Sequence, residues 1–428
     1  MLSDNETSAG ARIEQIVRES YGRMVALLAK QHRDIAAAED ALGDALAKAL
    51  ERWPVQGLPR NPDAWLMTAA KRRLIDGMRR ERIHQREIEV RLSEIERNEN
   101  QAMREPARNF PDERLKLMLV CTHPAIAPAV RTPLILQTVL GVSAERIASV
   151  FMMKPATMGA RLGRAKSKIR AAKIPFVIPP PGDFPSRIAS LLEAVYAAFT
   201  IGLDLEGLGE PSGLRNEAVW LASIVVNLLE EAETSEPKIN AFSLAESKGL
   251  LAMMLFRIAR DGSTEAPPPR SYLPLGEQPT DDWDEARILR AERLLSEAAT
   301  AKRLGAYQLE AAIQSVHCDR RRTGTTDWLA IKHLYQGLMR VNRSASTRIG
   351  LAAAQCHCDD PQSALQTLEG VSPSLQECSA PYWAVRAFAH RSLDDRTAAS
   401  ECYGRAIGLT ESESVRNWLM RQRREVGG

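Results

Sequence analysis

The segment Val142–Arg170 reads VSAERIASVFMMKPATMGARLGRAKSKIR. Ser143 is a good N-cap for a helix that runs from Ala144 to Phe151. Pro155 suits the first turn of a second helix, because the N–H that proline lacks would have no partner there. The apolar residues of this second helix recur at spacings of three and four, which is the pattern of a buried face. They are Met158, Leu162, Ala165, Ile169 and Ala172. The segment therefore predicts two helices joined by a tight turn.

The other side of the second helix is basic. No acidic residue occurs between Lys154 and Lys173. This layout is typical of a helix-turn-helix whose second helix enters the DNA major groove, where arginine reads guanine and other cations hold phosphates. The alternative is an amphipathic helix with a solvated basic face. Gly159 and Gly163 fit less well, because each costs about 1 kcal/mol relative to alanine in a helix interior. The candidate DNA-contacting residues are Thr157, Arg161, Arg164, Lys166 and Lys168.

Charge is distributed unevenly along the 428 residues. The net charge is +3, but residues 1–173 carry 30 Lys and Arg against 21 Asp and Glu, whereas residues 174–428 carry 27 against 33. A basic first part and an acidic second part indicate a polyanion-binding half and a half with another task. Helical periodicity is present in both parts and convincing strand alternation in neither, so the predicted fold class is all-α.

Breaks in composition divide the chain. Proline-rich stretches at 174–186 and 261–282 cannot continue a helix, and residues 83–111 are rich in charge and poor in apolar side chains. The predicted organisation is a first lobe at 11–82, a linker at 83–111, a second lobe at 112–173, a proline-rich linker at 174–186 and a helical extension at 187–428. Within 285–425, Ala387 and Ala399 fall at spacings that match 34-residue tetratricopeptide repeats; any antiparallel helical bundle is the alternative.

The first lobe contains a helix with an acidic side. Asp34 can cap a helix over 36–50, in which Leu42, Leu46 and Leu50 would form the buried edge. Acidic neighbours four residues apart destabilise a helix slightly. One interpretation is an acidic face that is only exposed to solvent. The functional interpretation is a surface that binds a basic protein partner. The acidic residues expected to face outward are Glu39, Asp40 and Asp44.

A second helix of this lobe opens at Asn61-Pro62 and combines an aromatic side chain with cations. Tryptophan among arginines suits single-stranded DNA, because bases stack on the ring while cations hold phosphates. Packing of Trp65 in the core is an equally good interpretation. The preceding segment Trp53–Arg60 is expected to form a rigid loop that could hold a flipped base. The candidate residues for this interface are Asn61, Trp65, Lys71, Arg72, Arg73, Arg79 and Arg80.

Other classes of function find little support. The sequence contains no glycine-rich phosphate loop, no Ser/His/Asp signature and no HExxH motif, so we expect neither an enzyme nor a cofactor. The six cysteines are scattered. Neither Cys356 and Cys358 with His317-Cys318, nor Cys121 with His123, has the spacing of a zinc site. No apolar run approaches the roughly 18 residues that span a bilayer, and no signal peptide is evident. A cytoplasmic protein with reduced cysteines is expected.

In order and separation, three of these segments resemble the extracytoplasmic-function type of bacterial RNA polymerase sigma factors. They are the acidic helix at 38–46, the helix at 61–80 and the helix-turn-helix. The resemblance implies that the helix at 36–50 binds the polymerase clamp, that 54–80 recognises and melts the −10 element, and that 155–170 reads the −35 element. It also implies that the second lobe docks on the polymerase flap. Residues 174–428 look like the extension of one branch of the family, which ends in tetratricopeptide-like repeats.

Two positions depart from the family pattern. Gly43 replaces a longer polar residue between Leu42 and Asp44, and Gln278–Asp284 is similar to a more basic motif of that branch. The first hypothesis is a sigma factor with core RNA polymerase and promoter DNA as partners, and with a further protein partner on the extension. A stand-alone helix-turn-helix regulator with a helical sensor or partner domain is the second hypothesis. A scaffold dominated by the repeats is the third.

Overall fold

The computed structural model describes residues 2–81, 113–207, 213–235, 240–261 and 272–427. The predicted linker at 83–111 lies outside these ranges, as does most of the second proline-rich break. The all-α prediction is confirmed, because the described residues form helices and no strand. The chain forms two compact units, residues 1–202 with 212–221 and residues 203–211 with 222–428.

Three helices form the first lobe: α1 (Leu2–His32), α2 (Ile35–Gln56) and α3 (Pro62–Glu81). The predicted caps are present. The Asp34 carboxylate accepts the Ala37 N–H at 3.1 Å, and the Asn61 side-chain oxygen accepts the Ala64 N–H at 3.1 Å. Helix α2 continues to Gln56 and ends where Gly57 takes φ 82°. The predicted loop Trp53–Arg60 therefore begins four residues later than expected.

The buried edge of α2 differs from the prediction. Leu42 is buried, but Leu50 is 54% exposed. Successive steps of four residues advance 400°, so a row built on them drifts around the helix. A mixture of three- and four-residue steps stays on one side. The buried residues that follow this row are Ala38, Leu42, Ala45, Ala49 and Trp53.

Four helices form the second lobe: α4 (Glu113–Cys121), α5 (Pro128–Thr138), α6 (Ala144–Val150) and α7 (Pro155–Ala171). Ser143 caps α6 by accepting the Arg146 N–H at 3.2 Å, and Pro155 occupies the first position of α7 as predicted. Four of the five expected residues, Met158, Leu162, Ala165 and Ile169, are buried. Ala172 is exposed because α7 ends one residue before it.

Residues 174–186 do not separate the two compact units. After a short 3₁₀ turn at Pro181–Asp183, α8 (Phe184–Gly207) begins, and it belongs to the first unit as far as Gly202. Arg187 donates to the Leu119 carbonyl at 3.3 Å. Arg114 forms an ion pair with Glu217 and lies 3.8 Å from the centre of the Trp220 ring. The predicted boundary is displaced because the second lobe completes its packing with these later residues.

One described helix, over Pro181–Leu205, is long and apolar enough to cross a membrane by length and composition. This qualifies the expectation that no such segment exists. Half of its most apolar window is buried inside the protein. The core helix of a globular protein satisfies the same criteria.

The second unit contains the rest of α9 (Leu214–Ser235), followed by α10 (Ala241–Ile258) and nine further helices within the described ranges. Small residues lie fully buried where successive helices pack, as Ala387 and Ala399 do between α17 and α18. The further helices are α11 (Glu285–Ala299), α12 (Ala306–Thr323), α13 (Trp328–Val341), α14 (Ala345–His357), α15 (Pro361–Glu369), α16 (Pro373–Gln376), α17 (Ala380–Ser392), α18 (Arg396–Leu409) and α19 (Glu413–Gly427).

Candidate nucleic-acid interface

The outer face of α7 presents cations to solvent. Thr157, Arg161, Arg164 and Lys168 are exposed. Arg161 donates to the Met153 sulfur at 3.5 Å, and Arg164 donates to the Ala160 carbonyl at 3.2 Å. Neither contact involves a carboxylate, so both guanidinium charges remain available to an anion. This face has the charge and the donors that phosphate and guanine contacts require.

The two glycines of α7 lie on this exposed side. A Cβ atom built on Gly159 or Gly163 would meet nothing within 4 Å. No packing inside the protein therefore explains their small size. A smooth strip of helix backbone beside the cations would permit close approach of a ligand.

Lys166 is not exposed as the sequence-based interpretation expected. Its side chain is only 10% exposed and forms an ion pair with Glu39, whose side chain is 11% exposed. The Lys166 ammonium also donates to the Gln137 side-chain oxygen at 2.7 Å. Burial raises the pKa of Glu39, although Lys166 acts in the opposite direction. A proposed DNA contact and a proposed polymerase contact thus neutralise each other inside the first unit.

Further contacts join the two lobes around this pair. Arg170 donates to the Asp34 carboxylate at 3.1 Å. Gly22 lies so close to the Val139 carbonyl that any added Cβ would collide with it. The lobes therefore pack directly on each other, which explains why Glu39 does not face solvent as predicted.

The remaining acidic residues of α2 are exposed. Asp40 faces solvent, and Asp44 forms an ion pair with Arg73 of α3, with both side chains about half exposed. The predicted polymerase residues and the predicted −10 residues are thus adjacent on neighbouring helices. Exposed apolar side chains at Leu50 and Val55 continue this surface toward the end of α2.

Helix α3 holds its tryptophan in an intermediate position. Trp65 is half-buried, and its ring packs edge-on against the buried Trp53 ring, with 5.5 Å between centroids. Each interpretation of Trp65 thus has some support, because the ring packs against Trp53 while the residue keeps part of its surface exposed to solvent. Arg72 and Arg73 are exposed and Lys71 is half-buried. The side chains of Arg79 and Arg80 lie outside the described residues.

Comparison with known proteins adds to this geometry. A model of sigma-70 region 2 matches residues 16–83, a range that contains α2 and α3. Residues 16–83 are thus a sigma-70 region 2 domain. A second model, for a family of unknown function, matches residues 187–299.

One relative matches the chain along most of its length. It is an uncharacterised protein of Rhizobium meliloti, 30% identical over 404 residues, with 92% of this chain and 91% of that protein covered. The two proteins therefore belong to one family, and the similarity includes the extension. No solved structure matches the chain.

The described residues contain no cluster of His, Cys, Asp and Glu side chains that could hold a metal ion. Burial raises the pKa of the Cys121 thiol to about 12, and Cys356 likewise has a pKa raised to about 12. Buried thiols of this kind are typical of cysteines that pack as small hydrophobic side chains. Sequence reasoning missed the role of Trp53 and the interlobe contacts. Of these, only the role of Trp53 could have been predicted from the sequence, because helical spacing places it on the same side of α2 as Leu42 and Ala49.

Proposed function

We propose that this chain is a sigma factor of the extracytoplasmic-function type, which binds core RNA polymerase and directs initiation at a specific promoter. The observation that carries the proposal is the adjacency in α2 and α3. Exposed Asp40 and Asp44 lie beside exposed Arg72 and Arg73 within the sigma-70 region 2 match. An acidic surface for a basic protein and a cationic surface for DNA meet on one small lobe.

Each surface takes one role. Asp40 and Asp44 bind the polymerase clamp, where desolvated charge pairs give specificity. Trp65, Asn61 and the cations of α3 take the −10 element as single strands, with a base stacked on the accessible side of the Trp65 ring. Thr157, Arg161, Arg164 and Lys168 read the −35 element in the major groove. The protein itself performs no covalent chemistry and acts in the cytoplasm.

The interlobe ion pair has a consequence for this function. Lys166 cannot hold a phosphate, nor Glu39 a polymerase cation, while they bind each other. Any contribution of Lys166 to DNA binding, or of Glu39 to polymerase binding, therefore requires the lobes to separate. Core polymerase, with a clamp site for one lobe and a flap site for the other, supplies the interaction free energy for that separation.

Residues 187–428 serve as a protein-binding extension with tetratricopeptide-like helix pairs. Support comes from the paired helices of 306–409 and from small buried residues such as Ala364, Ala387 and Ala399 at their crossings. The extension is acidic and the first part of the chain is basic. We expect removal of residues 222–428 to change promoter output without abolishing polymerase binding.

Reconstituted transcription tests the proposal. Purified protein with core polymerase is expected to start transcripts from a promoter identified after overexpression. In a pull-down, Asp40→Lys with Asp44→Lys is expected to abolish polymerase binding, whereas Asp76→Lys, an exposed reversal on α3, leaves it unchanged. Binding that survives the double reversal would favour a stand-alone DNA-binding regulator instead.

A further inference from the structure

Arg260 is a buried cation that has no ion-pair partner among the described residues. It follows the end of α10 and is 3% exposed. Its guanidinium donates to the Gln314 side-chain oxygen at 2.5 Å and to the Cys318 sulfur at 3.5 Å. Among the residues that the structure describes, no carboxylate forms an ion pair with it. Burial lowers its pKa only to about 10, so it stays charged at neutral pH. An uncompensated buried charge is costly.

The Trp283 ring lies between Arg260 and a second guanidinium. The Arg260 and Arg320 carbons lie 5.9 Å and 5.3 Å from the ring centroid. Arg320 donates to the Gly276 carbonyl at 2.8 Å and to the Gln278 carbonyl. The Asp284 N–H bonds to the Ala259 carbonyl at 2.9 Å. The non-helical segment 272–284 is thereby fastened over the ends of α10 and α12.

Several buried polar atoms in this region have no hydrogen-bond partner within the described residues. They include Trp283 Nε1, Arg320 Nε and His317 Nδ1. Indole and guanidinium nitrogens can only donate, and neutral imidazole can do so from one nitrogen. The Gln278 side-chain oxygen is an unsatisfied acceptor of the same segment. Buried donors nearly always have acceptors in native proteins, so unmet donors predominate here.

We propose that Arg260, Trp283, His317 and Arg320, the arginine–tryptophan cluster, form a binding site for a small oxyanion, the carboxylate or phosphate group of a low-molecular-weight ligand. An oxyanion offers only acceptors to the unmet donors and balances the charge of Arg260. A cation would be repelled, and a neutral ligand would leave the charge unbalanced. Asp261 and Glu292 influence this region through space without pairing with Arg260. The inference is independent of promoter binding.

Titration of the full chain tests this site. Sodium phosphate and sodium acetate are added separately at fixed pH and ionic strength, with sodium chloride as the reference. The chain has seven tryptophans, each with one indole N–H signal in a ¹H–¹⁵N spectrum. The signal that disappears in the Trp283→Phe variant is that of Trp283. We expect saturable binding of at least one of the two oxyanions, with movement of the Trp283 indole signal. Which oxyanion binds tells a phosphate ligand from a carboxylate ligand.

Variants separate the cluster from general anion binding. Trp283→Phe keeps an aromatic side chain and removes a donor that is unsatisfied without ligand, so it should fold normally and weaken binding, measured by calorimetric titration of both chains, about tenfold. Arg260→Gln should abolish saturation. Arg322→Gln, exposed on the same helix as Arg320, should bind within twofold of the parent chain. Absence of saturable binding by either oxyanion overturns the proposal. So does binding that is unchanged in Trp283→Phe, which would indicate an adventitious ion and a purely structural Arg260.

Discussion

Gly159 and Gly163 are the residues at which stability and DNA binding are expected to diverge. Nothing lies within 4 Å of an added Cβ at either position. Gly159→Ala and Gly163→Ala should each therefore raise the free energy of unfolding by about 1 kcal/mol. Affinity for promoter DNA should fall about tenfold, because the methyl group holds the helix away from the groove. Denaturant titration and fluorescence anisotropy measure the two effects.

Gly43 provides the matched control for these substitutions. It also lies in a helix interior with open space around an added Cβ, but on α2, away from α7 in sequence. Gly43→Ala should stabilise the protein by a similar amount and leave affinity for −35 DNA unchanged. An unchanged DNA affinity in Gly159→Ala and Gly163→Ala would contradict close backbone approach and leave the glycines unexplained.

His317 makes stability depend on pH. Burial, together with Arg260, Arg257, His357 and Arg320, lowers its pKa from 6.5 to about 3, and the edge of the Trp328 ring packs against it at 5.4 Å. A lowered pKa means that the folded state disfavours the protonated form of the His317 imidazole. The contribution of neutral His317 to the free energy of unfolding is fully present above pH 6.5 and is lost as the pH falls toward 3.

Thermal and denaturant unfolding at several pH values measures this loss. Between pH 6.5 and 5 the parent chain should lose about 2 kcal/mol through His317, and His357, whose pKa burial also lowers, acts in the same direction. His317→Gln should flatten the profile. His333→Gln, an exposed change on α13, should leave it unaltered. If stability depends on pH in the same way in the parent chain and in His317→Gln, His317 is not the source of the pH dependence.

At the scale of the elements, the buried ion pair between Glu39 and Lys166 couples α2 to α7. The interaction free energy of this pair can be measured. Lys166→Glu places a like charge against Glu39 and should lower the free energy of unfolding by about 3 kcal/mol. The swap of Glu39→Lys with Lys166→Glu should recover most of that loss. A double-mutant cycle gives the coupling directly.

The Arg73–Asp44 pair is the internal control for this cycle. Its side chains are 42% and 48% exposed, so solvent screening should leave stability almost unchanged when either charge is reversed. Similar couplings for the two pairs would mean that the lobes do not pack as described. A large coupling at Lys166 alone would support the conclusion that the lobes must separate before Lys166 and Glu39 can bind other partners.

The elements also show which features local sequence can predict. Asp34, Asn61 and Ser143 cap their helices as predicted, because a cap depends on residues only three positions away. The buried face of α7 follows from its spacing. The burial of Glu39 and Lys166 does not, since these residues are 127 positions apart and only tertiary packing brings them together. Leu50 was misplaced because a four-residue step is not the helical period.

At the scale of the whole molecule, the division into units differs from the division in composition. The proline-rich stretch at 174–186 breaks helices, but it does not end the packing of the second lobe. Arg114 is buried and takes Glu217 and Trp220 as partners. Thr132 donates to the Ser190 carbonyl at 3.5 Å. A proline-rich stretch shows where a helix must end. A compact unit ends only where its buried apolar side chains are packed and its buried charges have partners.

Truncation distinguishes the two kinds of boundary. A fragment of residues 1–186 lacks Glu217 and Trp220, the carboxylate and the ring that contact Arg114, and removal of one partner of a buried ion pair costs about 3–5 kcal/mol. A fragment of residues 1–221 retains both. We expect the longer fragment to unfold cooperatively and the shorter one to unfold at lower denaturant concentration. Equal stability of the two fragments would contradict this boundary.

A full-length control isolates the contacts themselves. Glu217→Gln with Trp220→Ala removes the ion pair and the ring from Arg114 while keeping the chain intact. It should reproduce most of the destabilisation of the second lobe, visible as faster hydrogen exchange in α4. Exchange in α17 and α18, which belong to the other unit, should remain unchanged, because the effect is confined to the unit in which Arg114 is buried.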